Sequence, residues 1–169
     1  MAARSFWLLG VQTLTQKEHF LTAEGRQALE MEFGQLTQER RREIAARIQR
    51  ASENGGTVDN AEYEEAKNEQ AFVEGRISDL DGILSSAVVA SKSSGNKGIV
   101  EFGSSVTVAS QKGAKNLYRV VGSAEAAPLE GKISIESPVG QALMGHKKGD
   151  AVKVDTPSGV INLTILNIV

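Results

Sequence analysis

Cysteine is absent from this 169-residue chain, which excludes disulfide staples, thiolate metal sites and cysteine nucleophiles. Histidine is scarce: His19 and His146 are the only two, and they fall in different halves. No Ser-His-Asp or Cys-His constellation can be assembled from them. Neither GxxxxGK(S/T) nor GxGxxG occurs, so the common phosphate-cradling loops are missing. Aromatics make up 5% of residues, and the C-terminal half holds only Phe102 and Tyr118, few for an apolar ligand pocket. Neither charge sign is in excess: the net charge of -2 argues against bulk nucleic-acid binding through a general basic surface, local patches aside. Long apolar runs are lacking as well. Phe6-Trp7-Leu8-Leu9-Gly10-Val11, behind Arg4, is far too short to span a bilayer. A secretory signal would want a longer run and a small-residue cleavage site. Residues 1–19 are therefore expected to form a disordered or loosely packed extension. No membrane partner is expected, and a cytoplasmic protein fits the composition.

What is present divides at a change of period. From Thr22 to about Ser91 the pattern is helical. Thr22 suits an N-cap, and Glu24 places an acid in the first turn, where the helix dipole favours it. Leu29, Phe33, Leu36, Ile44, Ile48 and Ala51 recur at three- or four-residue steps, with Arg40 interrupting the seam. Gly55 and Gly56 stop this helix at a tight turn. Beyond it, Tyr63, Ala66, Gln70, Val73, Ile77, Leu80, Leu84 and Ala87 keep a strict heptad seam. These features predict an antiparallel coiled-coil hairpin over 20–91 with its tip near 54–60. Helices of about 30 residues would make it roughly 45–50 Å long. The alternative is a helix pair within a bundle.

Residues 92–98 form a polar, glycine-bearing linker. Over 99–169 the period becomes two: Val106–Val108, Leu117–Val121, Ile133–Ile135, Val152–Val154 and Val160–Ile165 alternate like half-buried strands. Ser137 and Pro138 open a short helix as N-cap and first helical residue. Gly145 to Asp150 reads as a turn into a strand. The fold class is α+β, a helical hairpin followed by a small, mainly antiparallel sheet domain with one short helix.

Chemistry concentrates at the hairpin. Between Ser52 and Glu65 the charged residues are Glu53, Asp59, Glu62, Glu64 and Glu65, with no Lys or Arg among them. Acids crowded at one tip repel unless a cation or basic partner offsets them. The first helix carries Arg40, Arg41, Arg42, Arg47 and Arg50. Either these form a solvated face with Glu39 and Glu43 as partial partners, or the shaft grips phosphates while the tip presents carboxylates to a hard cation such as Mg²⁺.

Several ordered motifs resemble the Gre family of bacterial transcript cleavage factors. They are Phe20-Leu21-Thr22-Ala23-Glu24-Gly25, Asn60-Ala61-Glu62-Tyr63-Glu64-Glu65-Ala66-Lys67 and Gln70 to Ile77. The C-terminal half adds Ile133-Ser134-Ile135-Glu136-Ser137-Pro138-Val139-Gly140 and Ala142 to Asp150. The resemblance covers Phe20 to Val169 and implies a coiled coil joined to an FKBP-like domain. It further implies a monomeric factor whose C-terminal domain docks on bacterial RNA polymerase, with Ser137, Pro138 and Leu143 in the contact. The coiled coil would then enter the secondary channel, Arg40, Arg41, Arg47 and Arg50 facing the nascent RNA near its 3′ end. Two acids at the family's tip help hold the polymerase's catalytic Mg²⁺, so the factor has no catalytic site and no tightly bound cofactor of its own.

The chain departs from the family at that tip. The family motif G-D-x-x-E-N-A-E-Y, aligned on Asn60-Ala61-Glu62-Tyr63, puts its first acid at Gly56 and its second at Asp59. One carboxylate is missing and the other is a methylene shorter; Glu53 and Glu62 are the nearby acids available to supplement it. Two expectations stand: a channel-occupying inhibitor with defective cleavage stimulation, or a cleavage factor working through Asp59. A peptidyl-prolyl isomerase, suggested by the FKBP-like half, is a distant third.

Overall fold

The computed structural model describes residues 19–55, 61–90, 98–110, 113–156 and 159–169. Strand β1 (His19–Leu21) leads into α1 (Ala23–Gln35), a π-helical turn (Leu36–Arg40) and α2 (Arg41–Gly55). Helix α3 (Ala61–Ser85) returns and passes into β2 (Ala87–Val89). Thr22 caps α1 as expected: its Oγ1 accepts from the Gly25 N–H at 2.9 Å.

The first limb contains a feature that the seam spacing encodes. From Leu36 to Ile44 is eight residues, one more than a heptad, and a regular helix would carry Ile44 off the seam. The π turn absorbs the extra residue, and Ile44 and Ala51 are buried beyond it. Thr37 Oγ1 donates to the Phe33 carbonyl at 2.8 Å, a local bond that competes with the ordinary ladder.

The returning limb follows its heptads: Ala66, Ile77 and Leu80 are buried, and Tyr63, Gln70, Val73 and Leu84 are half-buried. Two expectations need correction here. The helix stops at Ser85, and Ala87 belongs to a strand in register with His19, Phe20–Val88 and Leu21–Val89 following. His19, the last residue of the expected extension, is therefore a strand residue paired with Ala87. The limbs also differ in length: 25 residues in α3, about 37 Å at 1.5 Å per residue, against a longer first limb. The rest of the expected extension, the tip turn at 56–60 and most of the linker lie outside the described residues.

The C-terminal half is a five-stranded sheet. In chain order it comprises β3 (Ser105–Ser110), β4 (Lys115–Val121), β5 (Lys132–Ser134), β6 (Ala151–Thr156) and β7 (Gly159–Ile168). The spatial order is β5-β4-β3-β7-β6, and every neighbouring pair is antiparallel except β4–β5. Its inward residues, among them Val106, Val108, Val120, Val152, Val154, Leu163 and Ile165, pack with Leu143 from α4 (Pro138–Leu143). All five expected strands form, as does the short helix.

The halves meet at the root of the hairpin. A short turn after β4 presents Glu125, whose Oε1 accepts from Thr22 N–H and whose Oε2 accepts from the Thr22 hydroxyl, both at 2.6 Å. Arg119 pairs with Glu24 beside it. Gly122 is required by contact: a Cβ there would sit 1.8 Å from the Phe20 carbonyl oxygen.

Candidate functional site

The acids flanking the tip lie at the end of α2 (Glu53) and the start of α3 (Glu62, Glu64 and Glu65). Glu53 is exposed near the end of α2 and accepts from Gln49 Nε2 at 2.9 Å, an i,i+4 bond along its own helix. Glu62 and Glu64 lie in the first turn of α3, where the helix dipole favours acids. Glu65 is 3.7 Å from Arg47, so the tip acids are not all unpaired as the sequence suggested. Gly56 and Asp59 lie outside the described residues. Among the described residues no three acids or histidines form a group that could hold a metal ion.

The arginines sit where the sequence put them, on the shaft, but their partners come largely from α3. Arg41 grips Glu74 through two bonds, 2.7 Å from Nε and 2.5 Å from Nη2. Arg40 bonds Glu43 at 2.7 Å and also reaches Glu69, while Arg47 bonds Glu69 at 2.5 Å. Arg76 clamps Glu32 at 2.7 and 2.8 Å. The pairs run from Glu32–Arg76 near the root to Arg47–Glu65 toward the tip, the signature of an antiparallel pair. Arg40, Arg41 and Arg47 are therefore largely neutralised within the hairpin. Arg50 is different: among the described residues its Nε donates to the Ala46 carbonyl at 3.2 Å, and like Arg42 it is exposed. The cross-limb glutamates were missed because their partners are about 20 to 45 positions away, and no periodicity reports such a distance.

These pairs shift their carboxyls in one direction. The Arg76 guanidinium bond holds Glu32 below its ordinary 4.5, and the Arg41 bond does the same for Glu74. A carboxyl with a lower pKa folded than unfolded stabilises above the unfolded value, and that stability is lost as pH falls through the folded one. Hairpin melting temperature, followed by helical circular dichroism, is expected to drop as pH falls below 4.5. Glu32→Gln should remove part of that acid dependence. The share is small, under about 1 kcal/mol, because the pair is half-exposed.

At the other end, Ser137 caps α4 as expected: its Oγ accepts from Gly140 N–H at 3.0 Å and donates to the Ser134 carbonyl at 2.7 Å. Pro138 is exposed at the first helical position. Leu143 corrects the sequence reading, because it is 0% exposed in the sheet core and cannot touch a docked partner directly. Its i,i+4 spacing from half-buried Val139 marks the inward face of α4 and was the available signal. Met144, next in sequence, is the exposed apolar residue there. Tyr118 packs on the core, and Phe102 packs on Phe20 and also lines a cleft of about 250 Å³ with Glu101, Arg119 and Val169.

Two family models match the chain, the N-terminal transcription elongation factor domain over residues 19–89 and the GreA/GreB C-terminal domain over 95–169. Transcription elongation factor GreA of Chloroflexus aurantiacus is 47% identical over 156 residues, 92% of this chain and 99% of the relative. The chain belongs to the GreA/GreB family. GreA of Halalkalibacterium halodurans is 44% identical over 154 residues, 90% of this chain and 98% of that protein. Among solved structures, GreA factor homolog 1 of Thermus thermophilus is 35% identical, covering 90% of this chain and 99% of its own, with a TM-score of 0.43. The matched GreA/GreB domains divide as the fold does, hairpin first and sheet second.

Proposed function

We propose that this chain regulates transcript elongation by binding RNA polymerase and inserting its hairpin into the secondary channel, occupying it with weak stimulation of RNA cleavage. The observation that carries this reading is Gly56, the position at which the family's tip motif has its first acid. The hairpin supports it: a rod of paired helices anchored at its root by Glu125 and Arg119. Exposed Pro138 and Met144 on the sheet domain are the docking residues, and exposed Arg42 and Arg50 face RNA phosphates.

A polymerase Mg²⁺ supplies Lewis-acid chemistry where it is bound. Toward it the tip offers Asp59, with Glu62 close by and Glu53 tied to Gln49. One carboxylate where the family has two holds a hard cation less firmly. The second reading, a cleavage factor acting through Asp59, is favoured by identities of 44% and 47% to proteins named GreA.

Both readings are tested with purified polymerase on a backtracked and on an active complex. The wild-type chain is expected to add little RNA hydrolysis to the first and to slow nucleotide addition on the second. Strong hydrolysis without slowing would replace the first reading by the second, and absence of polymerase binding would sink both.

A further inference from the structure

Among the described residues, the outer side of the β1–β2 ribbon is apolar and exposed. Parallel strands are ordinarily buried on both faces. Here Leu21 and Ala87 pack into the hairpin core, while Phe20 (42% exposed) and Val88 (41%) stand directly opposite each other on the outer side. Phe102 extends this patch from the sheet domain, its ring centroid 6.5 Å from that of Phe20. Val89 is also exposed, and among the described strands β2 has β1 as its one neighbour, leaving an open edge.

The chain enters this ribbon from the N-terminal side, and that side holds an apolar segment without an assigned role. Five of the six residues from Phe6 to Val11 are apolar, and the family model begins only at residue 19. Residues 12–18 connect the segment to β1 and can span about 23 Å when extended, against about 10 Å for a three-residue strand. The segment can therefore double back along the ribbon.

We propose that Phe6-Trp7-Leu8-Leu9-Gly10-Val11 docks on the outer side of the β1–β2 ribbon, over Phe20, Val88 and Phe102. The docked segment bridges hairpin and sheet domain, because Phe102 belongs to the sheet half and Val88 to the hairpin half. This inference is independent of the polymerase reading.

Trp7 is the single tryptophan, so selectively excited tryptophan emission of the full chain reports on this segment alone. The native chain is expected to show blue-shifted emission and protection from acrylamide quenching relative to the urea-unfolded chain. Val88→Lys, and separately Phe20→Ser, should abolish both while helical circular dichroism is retained. Phe72→Lys, at a residue 81% exposed on the remote shaft, should leave both unchanged. Emission and quenching in the native wild type equal to those of the unfolded chain would overturn the proposal. So would protection insensitive to both ribbon variants, or protection lost on dilution together with a doubled mass, which would assign the patch to a second copy.

Discussion

A backtracked polymerase complex given the Gly56→Asp variant is expected to release its RNA 3′ fragment about ten-fold or more faster than with the wild-type chain, about 1.4 kcal/mol in the barrier. The reasoning is one of ligand count. Hard divalent cations take oxygen ligands, and the motif that ends at Asn60-Ala61-Glu62-Tyr63 has acids at the positions of residues 56 and 59. This chain retains only the second of them, as Asp59. Restoring a carboxylate at 56 adds a ligand without altering the shaft ion pairs, which are all on the far side of Ala51 or in α3. Gly56→Asn is the matched control, with similar volume and backbone preference but no charge, and it should not accelerate cleavage. Equal rates for Gly56→Asp and wild type, at equal polymerase occupancy, would show that the missing acid is not what limits the tip.

Leu143→Ala is expected to destabilise the sheet domain by about 2–5 kcal/mol. Leu143 is 0% exposed and packs with Val100, Ile133, Val152 and Ile165, so truncation leaves a cavity the surrounding strands cannot close. Because hairpin and sheet have separate cores, the measurement is hydrogen exchange of β3 and β7 amides rather than one melting curve. Met144→Ala, one residue on but exposed, should change stability by less than about 0.5 kcal/mol. The comparison separates packing from docking: if α4 contacts polymerase, Met144→Ala and Pro138→Arg weaken binding without loosening the sheet. A Leu143→Ala chain as stable as wild type would contradict its place in the core.

Much of this was legible beforehand. The strands from Val106 to Ile165 were readable because alternation reports directly which side of a pleat is buried. The caps at Thr22 and Ser137 were readable because capping is a local bond over three residues. The helix end at Ser85 was not, because Ala87 continues the heptad count and only pairing with His19 draws it into a strand. Leu143 was read as a contact residue from its motif, whereas helix packing turned it inward. The shaft arginines were correctly placed on the first limb, but their neutralisation by Glu69 and Glu74 depends on the limbs lying side by side.

The sequence by itself determined the two-part α+β architecture, the hairpin with its glycine-bearing acidic tip, and the family. Period, caps and ordered motifs are properties of neighbouring residues, and they survive without coordinates. Only the tertiary structure decided which charges remain available and which surfaces face outward. Arg40, Arg41 and Arg47 are occupied and Arg42 and Arg50 exposed; Leu143 is buried in the sheet core, and Phe20 and Val88 face the outer side of the ribbon. Each of these depends on a pairing between segments distant in the chain, and a one-dimensional pattern carries no measure of that distance.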